Sequence, residues 1–453
     1  MAGPVWSRNE HNGAVADDAT VEGERPKPSR RAFLTGAGAT AVAGLAAACS
    51  SDATPTATPA EPASVTDAAT PPEPAGEPVP QPDVAIASVG FTGVHQAGVL
   101  QAPAAAGIVA AFDVLATDRA QLVETLQTLS AEIERLMGAT VQLADDEFLP
   151  PADSGAVGAE SSTAGVAITL GVGASLFDDR FDLADRRPNE LIPMPRFFND
   201  RLVREELSHG DLSLTISAPD HQTAVFALHQ AVRVTERRLR LRWVQEGYNQ
   251  LLPERTEQIA PTRNLMGFRD GTSNLDTADT DLMQRHVWVG ASDGEPDWAV
   301  GGTYQATRVI RMLIEFWATA ALVRQEQIFG RHRDTGAPLG QAAEGDEPVF
   351  ARDLTDEGVP RRSHMRLANP RTPDAARILR RGFSYLNGAA SDGTLDQGLL
   401  FLCYQRSLTR GFLEVQSRLD GEPLEDYVKP VGGGLFFILP GPGEGWLGQS
   451  LFA

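Results

Sequence analysis

Cysteine is nearly absent from the chain: Cys49 and Cys403 are the only two in 453 residues. That excludes a disulfide framework and a cysteine-rich zinc cluster. Cys403 stands in the apolar run Leu399-Leu400-Phe401-Leu402-Cys403-Tyr404, where a buried thiol is expected. Positive charge is also short, with 39 basic against 60 acidic residues and a formal net charge of -21. Such a chain repels phosphate backbones and anionic lipid, which excludes nucleic acid as a partner. The eight histidines (His11, His95, His209, His221, His229, His286, His332 and His364) include no His-x-x-x-His pair, so zinc chemistry has little support. Long hydrophobic runs are lacking too. The apolar stretch from Thr35 to Ala48 is short and made of Gly and Ala, unlike a membrane span.

What is present begins at Ser29-Arg30-Arg31-Ala32-Phe33-Leu34, which with the Gly/Ala run reads as a twin-arginine export signal. Pro26 and Pro28 oppose the rival reading of a packed surface helix. The signal makes the twin-arginine translocase a partner during export and suits a protein folded around a cofactor before it leaves the cytoplasm. Two fates stay open: cleavage after an Ala-x-Ala site, or acylation of Cys49 in Leu45-Ala46-Ala47-Ala48-Cys49. Residues 49–83, rich in Pro, Ala, Thr and Glu, cannot bury enough apolar surface to offset ordering entropy and read as a tether.

Beyond the tether, apolar periodicity predicts strands over 108–116, 166–172, 211–217 and 239–244. Between them, Leu122, Leu126, Leu129, Ile133 and Leu136 mark a helix, and Pro219 opens another that runs to about Thr235. Strand, helix, strand, strand, helix, strand is the ferredoxin-like order. A similar order recurs later: a strand over 304–316, a helix over 318–329, a strand over 399–404, a helix over 409–419 and a strand over 435–439. A polar, Arg-rich insertion over 330–387 interrupts it. The expectation is an α+β protein of two ferredoxin-like domains with antiparallel sheets, over 84–250 and 251–453, after a signal segment 1–48 and the tether.

Three blocks carry more specific information. They are Gly267-Phe268-Arg269-Asp270-Gly271-Thr272-Ser273-Asn274, then Ser363-His364-Met365-Arg366-Leu367-Ala368-Asn369-Pro370-Arg371, then Leu379-Arg380-Arg381-Gly382-Phe383-Ser384-Tyr385. Taken alone, Asp270-Gly271 is a common turn dipeptide and Arg380-Arg381 a solvated pair. In this order, with Gly93-Val94-His95-Gln96-Ala97-Gly98 before them and Tyr427-Val428-Lys429-Pro430-Val431-Gly432-Gly433-Gly434 after, they resemble the dye-decolorizing peroxidase family. The resemblance runs from about Gly90 to the C-terminus. It is closest to the twin-arginine-exported branch that includes the deferrochelatase/peroxidase of elemental iron uptake.

The resemblance implies one haem b per chain, held mainly by the C-terminal half, with His364 as the iron ligand. It implies Asp270 and Arg380 on the peroxide side with Asn274 beside them, and a lining of Gly271, Thr272, Ser273, Asn369, Pro370 and Arg371, the last suited to a propionate. A carboxylate behind His364 is expected from the logic of axial ligands. Alignment by eye points to Asp426, with Asp396 as its rival. The implied activity is reduction of hydrogen peroxide through a ferryl intermediate, with oxidation of dyes, phenolics or other reductants. Asp270 shuttles the proton and Arg380 stabilises the charge of the departing oxygen. Because an ordinary aspartate ionises near pH 4, an acidic optimum is expected. Trp288, Trp298, Trp317 and Trp446 are candidates for passing oxidising equivalents to the surface, though core packing accounts for most of them. Two rivals remain: release of iron from haem with the porphyrin intact, and a non-catalytic haem-binding module. Iron-uptake components and a second copy of the chain stay open as partners.

Overall fold

Asp118 starts the first helix. Its carboxylate accepts a hydrogen bond from the Gln121 amide at 2.9 Å, satisfying one of the donors that a helix N-terminus leaves open. The helix, α1 (Arg119–Met137), turns Leu122, Leu126, Leu129, Ile133 and Leu136 to one side, and all five are fully buried. α2 (His221–Val234) is capped in the same way, by Asp220 on the Thr223 amide. The structure is a computed structural model that describes residues 89–138, 148, 163–251, 262–353, 358–369, 371–372 and 375–453. The twin-arginine segment, Cys49, the tether and Pro370 lie outside the described residues.

Both helices cover one antiparallel sheet of β1 (Ala106–Val114), β2 (Ala167–Gly173), β3 (Leu212–Ala218) and β4 (Leu239–Tyr248), in the order β2-β3-β1-β4. Alternation decides which face each side chain takes. Ile108, Ala110 and Phe112 join the cluster under the helices, whereas Val109 and Ala111 join a separate cluster on the opposite face.

The second half opens with a short hairpin, β5 (Thr262–Arg263) and β6 (Arg269–Asp270), and α3 (Thr280–His286). There follow β7 (Thr303–Met312), the single turn α4 (Ile314–Trp317), α5 (Leu322–Phe329) and α6 (His364–Ala368). The chain ends with β8 (Leu379–Arg380), β9 (Phe383–Ala389), β10 (Leu395–Gln405), α7 (Glu414–Leu419) and β11 (Val428–Ile438). Its long strands run β9-β10-β7-β11, all antiparallel, so second, third, first, fourth is the order in both halves. Two seams join them: Tyr248 pairs with Ser384 between β4 and β9, and Phe436 to Ile438 pair with β2. The sheet thereby closes into a barrel whose interior holds Trp243, Phe383, Leu400, Leu402 and Phe436.

The halves expected as separate domains therefore share one sheet and, among the described residues, one compact unit. A buried ion pair ties them further, with Asp200 of the first half against Arg308 of β7, each side chain 3% exposed. The polar insertion expected to reach residue 387 ends sooner, because β8 and most of β9 lie within it. Only Phe383, Ser384 and Tyr385 of β9 are buried, and its remaining four residues are exposed, so half of that strand reads as a loop. The strand expected to reach residue 316 stops at Met312, and the helix expected from 318 starts at Leu322.

Candidate functional site

The outward face of β7 and β10 forms the floor of a cavity of about 280 Å³. Ile310 and Met312 come from β7, Leu399 and Phe401 from β10, and Phe412, Val415 and Leu419 from the segment around α7. These are the residues that alternation turns away from the barrel interior. The cavity is thus apolar underneath and ringed by polar groups from loops.

His364 enters this cavity at the first position of α6. Its Nδ1 lies 3.0 Å from both carboxylate oxygens of Glu422, whose side chain is only 5% exposed, while the histidine ring keeps 32% of its surface accessible on the cavity side. Burial works to lower the pKa of His364, but the charge of Glu422 and the hydrogen bond to it outweigh burial, and the net direction is upward. The carboxylate behind the imidazole is therefore Glu422, and the expectation for Asp426 is corrected. Asp426 ends the turn Pro423–Asp426 exposed and outside the cavity lining. Its rival Asp396 sits on β10 against Asn387. The sequence signal that could have found Glu422 is an acid in Gly421-Glu422-Pro423, immediately before the one-turn helix that Pro423 opens.

Asp270 and Arg380 line the same cavity. Asp270 ends β6, and no hydrogen bond engages its carboxylate among the described residues. Arg380 lies on β8, its backbone clasped on both sides by the Asn274 side chain: Oδ1 accepts from the Arg380 amide at 3.0 Å and Nδ2 donates to its carbonyl at 2.9 Å. The Arg380 guanidinium donates to the Thr272 carbonyl at 2.7 Å and has no carboxylate partner among the described residues. Both side chains also line a second cavity, so they form the partition between the two. Thr272 and Ser273 border both cavities as well, whereas Gly271 and Asn274 face only the second and Asn369 and Arg371 only the first.

The loop after Asp270 is bent into unusual backbone: Gly271 has φ +96° and Ser273, without glycine's freedom, has φ +57°. Four guanidiniums hold it there. Arg331 and Arg371 each donate to the Ser273 hydroxyl at 3.1 Å, Arg377 donates to the Ser273 and Asn274 carbonyls, and Arg380 to Thr272. Crowding of like charge adds to the effect of burial. Burial, and after it the neighbouring Arg371 and Arg380, push Arg331 down to about 10 even though Glu344 opposes them. Arg377 is lowered by burial and by the same two arginines. Arg371 also reaches Glu347 at 3.2 Å, and its amide bonds the Asn369 side chain. Neither Arg331 nor Arg377 was anticipated, because each comes from the polar insertion and nothing local marks it. The tryptophans behave as core: Trp288, Trp298 and Trp317 are each at most 5% exposed.

A cavity lined by an anion-backed imidazole, an acid and a guanidinium, with an apolar floor and an excess of positive charge at its rim, is suited to a flat apolar group with anionic edges. Residues 96–249 match the family model described as Dyp-type peroxidase, N-terminal, and residues 261–442 that described as Dyp-type peroxidase, C-terminal. A curated relative from Escherichia coli O157:H7, named deferrochelatase, is 43% identical over 430 residues, covering 94% of this chain and 97% of that one. DtpA from Streptomyces lividans, solved as an oxyferrous complex, superposes with a TM-score of 0.73 at 32% identity, over 81% of this chain and 98% of that one. A DyP-type peroxidase from Cellulomonas bogoriensis superposes with a TM-score of 0.71 at 32% identity, over the same shares.

Proposed function

Since the chain belongs to the Dyp-type peroxidase family and is a haem-dependent oxidoreductase that reduces hydrogen peroxide, we propose that one haem b per chain occupies the first cavity with His364 as iron ligand. The donor set supports this fit. A neutral imidazole whose other nitrogen faces a carboxylate is a strong axial donor, and Glu422 fills that role for His364. The guanidiniums of Arg331, Arg371 and Arg377 lack enough counter-charge among themselves, which suits the two propionates of haem. Thr272, Ser273 and Asn369 complete that rim.

Bound haem supplies a redox-active iron at which peroxide is cleaved and from which two electrons are later replaced by a reductant. The chain supplies proton transfer and electrostatics. The Asp270 carboxylate, which lines the cavity and has no hydrogen bond among the described residues, takes the proton from one peroxide oxygen and returns it to the other. The Arg380 guanidinium stabilises negative charge as it develops on the departing oxygen, held in place by Asn274 on its backbone and by the Thr272 carbonyl. Asn274 is accordingly a positioning residue. The observation that carries this reading is the convergence of His364, backed by Glu422, with Asp270 and Arg380 on the lining of one cavity.

Reductants such as dyes and phenolics are its second substrates. Similarity to a protein named deferrochelatase favours one other reading, release of iron with the porphyrin intact, which uses the same cavity. Incubating haem-loaded protein with peroxide and a phenolic donor separates the two. Donor oxidation at an acidic optimum is expected, and accumulation of free porphyrin without peroxide turnover would overturn the assignment. We read each half as a ferredoxin-like unit on its shared strand order. We also propose export through the twin-arginine route, on Arg30 and Arg31. Replacing both with Lys should leave the protein in the cytoplasmic fraction.

A further inference from the structure

The second cavity, of about 450 Å³, lies beyond the partition made by Asp270 and Arg380, at one end of the barrel. Thr215 and Ser217 of β3, Tyr404 of β10 and Arg381, between β8 and β9, line it. Alternation along each strand gives them the face shared with the barrel interior.

Arg381 is the feature that needs explaining. One Nη donates to the carbonyl of Arg380 at 3.1 Å, the Nε is buried without a partner, and no carboxylate pairs the guanidinium among the described residues. Burial pushes its pKa down to about 10, with Tyr404 acting weakly in the other direction. A desolvated cation with unused donors is costly unless something fills the space beside it. Other charges do not cancel it. Asp270 and Asp276 border the cavity but neither pairs with Arg381 among the described residues, and the Asp276 carboxylate accepts the Ala278 amide of its own turn at 2.9 Å. The Ser217 hydroxyl has no partner among the described residues, and the volume falls in the range of sites for small organic molecules.

We propose that this cavity is the subsite for a small phenolic carboxylate as reducing substrate, with Arg381 forking the carboxylate and Ser217 hydrogen-bonding the same molecule, an inference that rests on the peroxidase reading. The cavity borders Asp270, the residue to which proton transfer is assigned. Two such molecules each lose one electron and the hydroxyl proton. The two electrons and two protons, with one hydrogen peroxide, give two waters and two phenoxyl radicals.

The probe is 4-hydroxybenzoate, titrated calorimetrically into full-length haem-free and haem-loaded protein with no peroxide present. One site of equal affinity in both forms is expected, because haem fills only the first cavity. Arg381→Gln should weaken binding roughly tenfold or more, as loss of a charged fork does, with Arg381→Lys intermediate. With peroxide, Arg381→Gln should raise KM for 4-hydroxybenzoate by the same factor. Binding that vanishes on haem loading would put the carboxylate at the Arg371 rim and overturn the proposal, as would unchanged affinity in a folded Arg381→Gln protein. Binding at Arg381 without any donor oxidation would instead sink the peroxidase reading while leaving the anion site standing.

Discussion

At the scale of single residues, His364 is set by one buried partner, the Glu422 carboxylate 3.0 Å from its Nδ1. His364→Ala should abolish the axial ligand, and an unchanged absorption spectrum of the haem-loaded protein would refute that assignment. Glu422→Gln should raise the reduction potential of the iron, measured by spectroelectrochemistry, and weaken haem retention about 10–100-fold, because the imidazole loses the anion that strengthens it. The same pair sets a pH dependence. The His364 pKa is raised above 6.5, so in haem-free protein its contribution to stability is fully present below pH 6.5 and is lost as pH rises through the raised value. Ligation needs the neutral ring, so haem affinity should rise over that same window. A flat profile in both wild type and Glu422→Gln would contradict the coupling. Arg380→Leu should slow peroxide cleavage about 10²–10³-fold in stopped flow with haem retained, and loss of haem would recast it as a structural contact. Sequence reading reached Asp270, His364 and Arg380 because each sits in a contiguous block. It missed Glu422 because the contact spans 58 residues and leaves no periodic trace.

Elements position these residues, and their legibility varied with how one-sided their burial is. α1 was readable because five apolar residues fall on one face at spacings of four and three. β9 was not, because only its first three residues are buried. β11 shows what a strand needs beyond its pattern. Gly433 has φ +130°, and a Cβ there would lie 2.0 Å from the Thr307 carbonyl of β7. Gly433→Val should therefore disturb the pairing of β11 with β7 and cost roughly 1–3 kcal/mol. The measurement is the thermal midpoint of the haem-free protein, and an unchanged midpoint would show that β11 tolerates the shift. Since β11 also closes the barrel on β2, haem retention should fall with it.

At the scale of the whole molecule, neither half has a complete sheet without the other. The seams of β4 with β9 and β11 with β2, and the buried Asp200–Arg308 pair, would each be exposed by separation. Residues 262–453 expressed alone should be insoluble or fail to bind haem, and co-expression with residues 84–251 should restore binding. A soluble, haem-binding C-terminal fragment would show that the barrel is not required. The sequence by itself determined the elements with strong periodicity, the excess negative charge, and the three blocks that carry the family resemblance. Only the tertiary structure decided that two similar halves close into one barrel, that Glu422 backs His364, that Asp270 and Arg380 divide two cavities, and that Arg381 has no carboxylate partner among the described residues. The physical reason is range. Periodicity and turn chemistry are written between neighbours a few residues apart, whereas strand seams, ion pairs and cavities are made by residues that meet only after the chain has folded.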